Sequence, residues 1–181
     1  MIIGVFGTIN SGKDTVGEMI KAKTGLPTFS ISDEIRSVAT ERGMPLDNMT
    51  LNNISVEHKD KYGLGYWAQR GVEKFKNQSF IVTTLRNLGE LEPLRATGKF
   101  YLVGVDAPIE MRYKRSVARA RAGEENQTFE QFETYDKFTR NGPANAMRIN
   151  DLVEQADVII ENTGTLEELE QKIDAILADI L

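Results

Sequence analysis

Apolar positions come in short blocks separated by helically spaced ones. Met1-Ile2-Ile3-Gly4-Val5-Phe6 is a β-branched-rich run of strand length, which predicts a buried strand. Val16 to Lys21 then switches to helical spacing, and Thr24-Gly25-Leu26-Pro27 is the stop signal for a helix ending near Lys23. Thr28-Phe29-Ser30-Ile31 reads as a second strand. Ser32 or Asp33 is the expected cap of a helix through Arg42, stopped by Gly43. A helix is expected from near Thr50. Tyr62 to Trp67 breaks it, and Ala68 to Phe75 forms another. Ser79 to Thr84 is the third strand, and Asn87 to Ala96 is helical. Phe100 to Asp106 is almost wholly apolar, as in a strand covered on both faces. Pro108 opens a helix to about Arg121. Val158-Ile159-Ile160 is the last strand, and Thr165 caps a helix over Leu166 to Ile180.

Alternating strands and helices predict an α/β fold with a five-stranded parallel sheet and right-handed crossovers. The chain is read as one domain over 1–181, with a core of 1–43, 78–121 and 151–181. Two helical insertions, 44–77 and 122–150, would emerge at carboxyl ends of strands, where ligands bind in open α/β sheets. Phe129, Phe132, Tyr135 and Phe138 recur at helical spacing in the second. They read as a packing face, with stacking on a base as the other reading.

The chemistry begins where the first strand stops. Gly7-Thr8-Ile9-Asn10-Ser11-Gly12-Lys13 is a G-x-x-x-x-G-K loop between a strand and a helix, the context a phosphate cradle needs. Gly7 and Gly12 admit backbone angles closed to other residues and leave no Cβ before a ligand. The Asn10, Ser11 and Gly12 amides would then form an anion nest at a helix start, with Lys13 as a mobile charge for phosphates. Asp14 stands where a hydroxyl usually follows the lysine to hold Mg²⁺, and Thr15 comes next. Both are candidate metal residues. Phosphoryl transfer otherwise needs cations that hold donor and acceptor in line. Arg36, Arg70, Arg86, Arg115, Arg119 and Arg121 fall just beyond strand ends or on the insertions.

Composition adds limits. The 181 residues, 40% hydrophobic and 27% charged, are ordinary for one folded domain. A net charge of −5 argues against a general nucleic-acid or membrane-surface binder. Without cysteine, neither disulfides nor thiolate metal sites arise. No signal peptide or membrane-length apolar run is read, so a cytoplasmic protein, monomer or homodimer, is expected. His58 is alone in a polar stretch and reads as a surface residue.

On the loop Gly7–Thr15, the segment Ser30 to Arg36, Thr83-Thr84-Leu85-Arg86 and Val105-Asp106-Ala107-Pro108, the chain resembles the nucleoside monophosphate kinase group of phosphate-loop proteins, adenylate kinase and its relatives. That resemblance implies a three-layer P-loop fold, ATP and Mg²⁺ as cofactors, and a nucleotide acceptor. It implies that Arg36 and Arg86 grip the acceptor phosphate and that the 122–150 insertion is a lid. Ser32 and Arg70 are further acceptor-side candidates, and Trp67 beside Arg70 reads as a wall of that pocket or as core packing. Arg115 and Arg119 would be the arginines that meet the donor base and phosphates, and Gly164, in Asn162-Thr163-Gly164-Thr165, would pack against the adenine.

Tyr62 to Arg70 and Val82 to Glu92 look like phage-type deoxynucleoside monophosphate kinases and an archaeal adenylate-kinase-related family. The carboxyl third is similar to dephospho-coenzyme A kinase, which implies that Asp33 faces an acceptor hydroxyl. One departure stands out: Thr83 occupies the strand end where the family has a metal-anchoring aspartate. Asp106 reads as a helix cap, with support of the metal as the alternative. The expected activity is transfer of the ATP γ-phosphate to a nucleoside or deoxynucleoside monophosphate. Transfer to a hydroxyl, or nucleotide binding without efficient transfer, are the rival readings.

Overall fold

A computed structural model describes residues 1–76, 78–119 and 127–181. Five parallel strands lie in the order β2-β3-β1-β4-β5, with β1 (Ile2–Gly7) central, β2 (Thr28–Ser30) and β5 (Val158–Glu161) at the edges, β3 (Phe80–Leu85) and β4 (Phe100–Asp106) between. β1 is buried along its whole length, which explains why it reads as a continuous apolar run rather than an alternating one.

The side-chain period of two along each strand sorts the core into two layers. Ile3, Val5, Ile81 and Val103 face one way, against Val16 and Ile20 of α1 (Lys13–Thr24) and Leu169, Ile173 and Leu177 of α9 (Leu166–Ile180). Ile2, Phe6, Phe80, Val82 and Leu102 face the other way. They pack against α2 (Ile31–Glu41), α3 (Asn48–Tyr62), α4 (Tyr66–Lys74), α5 (Leu91–Arg95) and α8 (Ile149–Val153). The result is an α/β fold with helices on both faces of an all-parallel sheet. Ile54, Trp67 and Ala68 of the 44–77 segment share an apolar cluster with the central strand.

Helix boundaries follow their caps. Gly25, at φ 68, ends α1 by donating its N–H to Lys21 O. Capping boxes open α7 (Phe129–Asn141) at Thr128 and α9 at Thr165. Two expectations need correction. The cap of α2 is Ser30, whose hydroxyl accepts from Asp33 N–H, so Ile31 is helical and Ser32 and Asp33 lie in the first turn. His58 is buried: its Nδ1 lies 2.8 Å from Ile54 O, and its ring sits among Tyr62, Tyr66 and Trp67. The helix α6 (Ile109–Arg119) is described only to Arg119, so Arg121 lies outside the described residues. Among those residues no helix is long and apolar enough to cross a membrane.

Candidate functional site

The loop from Gly7 to Lys13 closes tightly because its backbone takes conformations that need small or short polar residues. Gly12 has φ 96 and Asn10 φ 57. A Cβ on Gly7 would strike Val105 O and lie 2.6 Å from Ser11 Oγ. The Ser11 carbonyl accepts the Asn162 side-chain amide at 2.7 Å and the Arg115 guanidinium at 3.2 Å. Arg115 also donates to Asn162 O at 2.8 Å. Residues from α6 and from the end of β5 thus brace the loop from outside. Within it, Asn10 Nδ2 and Ser11 Oγ are buried with no protein partner among the described residues.

A cavity of about 650 Å³ opens in front of the loop. Gly7, Lys13 and Asp14 from the loop and the start of α1 line it, together with Ser32, Asp33 and Arg36 of α2, Thr83 of β3 and Arg86 just beyond it. Neither Asn10 nor Ser11, both expected to meet the nucleotide, lines this cavity, nor does Gly12. Arg86 Nη2 donates to Ser32 Oγ at 2.9 Å, and Arg36 Nη1 lies 3.3 Å from Asp33 Oδ1. Lys13 Nζ is 3.4 Å from Asp14 Oδ1. The floor is shaped by a bulge. β1 and β3 pair Val5 with Thr83 and Phe6 with Leu85, so Thr84 is extra, at φ 64. A left-handed angle on a β-branched residue is a strained conformation. Here it turns the Thr84 hydroxyl to accept Ser32 N–H at 3.0 Å, locking the start of α2 to the strand end.

Other expected site residues lie elsewhere. Trp67 is 0% exposed, with its indole N–H donating to Ser55 O, so it is a core residue rather than part of the cavity wall. The aromatic neighbours Tyr66 and His58 account for that burial better than a ligand does. Arg70 is directed to Glu34, at 2.9 and 3.1 Å, and is not on the cavity wall. Thr15 and Arg119 are exposed and outside it, as is Gly164, the residue before the Thr165 cap. Of the two candidate metal residues only Asp14 lines the cavity. No cluster of three metal-ligating side chains exists among the described residues. A Mg²⁺ would therefore take most of its oxygens from phosphates and water, with Asp14 as the protein carboxylate beside them.

Asp106, read from the sequence as a helix cap or metal support, instead belongs to a partly buried ion-pair network. Asp106 Oδ1 accepts the Thr8 hydroxyl at 2.6 Å, and its own Oδ1 also accepts Ala107 N–H at 2.8 Å. Arg140 bridges Asp106 and Asp136, at 3.1 and 3.0 Å. Asp136 forks onto Arg112, at 2.6 and 3.1 Å, and Arg112 donates to Ile9 O at 3.3 Å. Burial opposes ionisation of Asp136, but Arg112 and then Arg140 outweigh it and hold the carboxyl below the usual carboxylate range. The helix α7 is thereby docked beside the glycine loop. Of its aromatic stripe Phe132 is buried and Tyr135 lines the cavity, whereas Phe129 and Phe138 are partly exposed.

No family model matches the chain. It is 27% identical to the UPF0200/UPF0201 protein of Archaeoglobus fulgidus over 183 residues, 97% of this chain but 54% of that protein. It is 29% identical to the UPF0200 protein of Thermococcus onnurineus over 190 residues, 100% of this chain and 98% of that one. The chain thus spans about half of the first relative and nearly all of the second. Among solved structures, TT1252 from Thermus thermophilus superposes with a TM-score of 0.65 at 21% identity, covering 100% and 98% of the two chains. Shikimate kinase from Acinetobacter baumannii, in complex with shikimate, gives 0.58 at 20% identity, covering 99% and 94%. These likenesses show the fold alone, an all-parallel α/β arrangement shared with a shikimate kinase.

Proposed function

We propose that the chain is an ATP-dependent kinase that moves the γ-phosphate to a nucleoside or deoxynucleoside monophosphate. The observation that carries the reading is one cavity lined both by Gly7 and Lys13 of the glycine loop and by Arg36 and Arg86. Cations brought to one cavity from two stretches of the chain would suit two phosphorylated molecules held end to end, which is most of what phosphoryl transfer requires of a protein. The loop amides and Lys13 would hold the donor phosphates. Arg36 and Arg86, the latter braced on Ser32, would hold the acceptor phosphate, and α7 would exclude water so that ATP is not simply hydrolysed. Mg²⁺ bound near Asp14 supplies charge neutralisation of the donor phosphates.

An ionised acceptor phosphate needs no base. A second reading rests on Asp33, which lines the cavity beside Arg36: an acceptor with a hydroxyl beside an anionic group would be deprotonated there. A coupled assay with ATP across nucleoside monophosphates, deoxynucleoside monophosphates and dephospho-coenzyme A tests both. Turnover of a monophosphate supports the first reading, and turnover of dephospho-coenzyme A alone supports the second. Tight ATP binding with no transfer to any acceptor would overturn both in favour of a nucleotide-binding regulator.

A further inference from the structure

Behind Arg86 lies a charged pair that the phosphate grips do not use. Lys59 of α3 and Glu90 of the 3₁₀ turn Leu88–Glu90 have side chains 1% and 0% exposed, with Nζ 3.0 Å from Oε1. Stability alone is a poor reason for such a pair. Desolvating two charges offsets most of their attraction, and apolar side chains of similar volume often serve a core as well or better. The other carboxylate oxygen supplies a different reason. Glu90 Oε2 accepts the backbone N–H of Arg86 at 2.6 Å, a charge-assisted bond to a carboxylate that is itself 0% exposed. On the far side of the same residue, the Arg86 carbonyl accepts the N–H of Arg148 at 2.7 Å.

The main chain of Arg86 is therefore clamped at both ends. One clamp comes through Glu90 from the 44–77 segment, the other directly from the segment before α8. The clamp sits two residues after the strained Thr84 bulge, where an unheld chain has reason to relax. We infer that Lys59 and Glu90 are positioning residues for Arg86: Lys59 fixes the Glu90 carboxylate, the carboxylate fixes the Arg86 peptide, and the guanidinium is thereby aimed past Ser32 at the acceptor. Docking of the first insertion is then a condition for an ordered acceptor grip. The catalytic part of this inference rests on the proposed role of Arg86, whereas the clamp itself does not.

Two variants test it. Glu90→Gln keeps the volume, and the double variant Lys59→Met with Glu90→Gln leaves no buried charge unpaired. The first readout is hydrogen exchange of the Arg86 amide, with the mid-strand amides of Val82 and Val103 as controls. Loss of the charge-assisted bond should speed Arg86 exchange by at least about tenfold while the controls hold. Exchange that is unchanged at Arg86, or faster everywhere alike, overturns the clamp. The second readout is steady-state kinetics with the best acceptor of the panel. The acceptor KM should rise by at least about tenfold with ATP affinity unchanged. On an Arg86→Ala background the same change should add almost nothing, and an additive loss would refute action through Arg86. If the wild-type chain phosphorylates no acceptor, the kinase reading fails and the exchange data still decide the clamp.

Discussion

Arg140 Nη2 lies 3.1 Å from Asp106 Oδ2, which ties the last turns of α7 to the carboxylate that also accepts the Thr8 hydroxyl of the glycine loop. The docking of α7 onto the core thus depends on ionised carboxylates, and its stability should depend on pH. Asp136, between Arg112 and Arg140, is the most buried of them. Its folded pKa lies below its unfolded value of about 3.9. Its contribution is therefore complete above that value and is lost as pH falls through the folded one. Asp136→Asn, which strands an Arg112 side chain only 1% exposed, should cost about 3–5 kcal/mol at pH 7. In urea titrations the gap from wild type should narrow steadily below about pH 4. A gap of constant size down to pH 3 would contradict the assignment.

Lys13 is the one loop side chain on the cavity wall that carries positive charge. Lys13→Ala should weaken a non-hydrolysable ATP analogue by at least about tenfold in calorimetry, the loss of one charge-assisted phosphate contact. Its ion pair at 3.4 Å is with an Asp14 carboxylate that is 50% exposed, and such pairs contribute little, so the melting temperature should move little. Unchanged affinity would remove the donor site from this loop.

Asp33 and Thr83 separate the two acceptor chemistries. Asp33→Asn should leave transfer to a monophosphate within about twofold, yet cost at least about tenfold in kcat if the acceptor is a hydroxyl. Thr83 is buried on the cavity floor, its methyl against Gly17. Thr83→Asp restores a carboxylate at a strand end facing the phosphates and should raise kcat at limiting Mg²⁺. A fall in kcat at every Mg²⁺ concentration would show that Thr83 is not a weakened metal anchor.

How much of this was legible beforehand varied with the kind of signal. The strand–loop–helix at the amino end stood out because local pattern and chemistry coincide in 15 residues, and Arg36 and Arg86 followed from strand ends. Charged residues that turn inward were not legible. Leu51, Ile54, Ser55, His58 and Lys59 form the buried side of α3, at 3-, 4-, 7- and 8-residue offsets from Leu51. That stripe shows only if histidine and lysine are counted with the apolar set. Phe132, Asp136 and Thr139 form the same kind of stripe on α7. A pair such as Arg112 with Asp136, distant in sequence, leaves no local trace. The cap of α2 was misplaced because Ile31, β-branched, looked like the end of a strand when it is the first helical residue.

The last prediction concerns the brace behind the loop. Gly12 sits at φ 96, and a Cβ there would overlap the Asn162 side-chain amide. That amide holds Ser11 O at 2.7 Å, and the Asn162 carbonyl holds Arg115 at 2.8 Å. Gly12→Ala should therefore impose backbone strain of about 1–2 kcal/mol and also push Asn162 off the loop. Gly25 is the internal control. Its φ of 68 is also left-handed, but nothing lies within 4 Å of the added Cβ, so Gly25→Ala carries the strain alone. Both variants should lower the melting temperature, and only Gly12→Ala should weaken the ATP analogue. Asn162→Ala should reproduce most of that weakening without altering the backbone at Gly12. Equal nucleotide affinity in all three would mean that the loop holds its shape without Asn162.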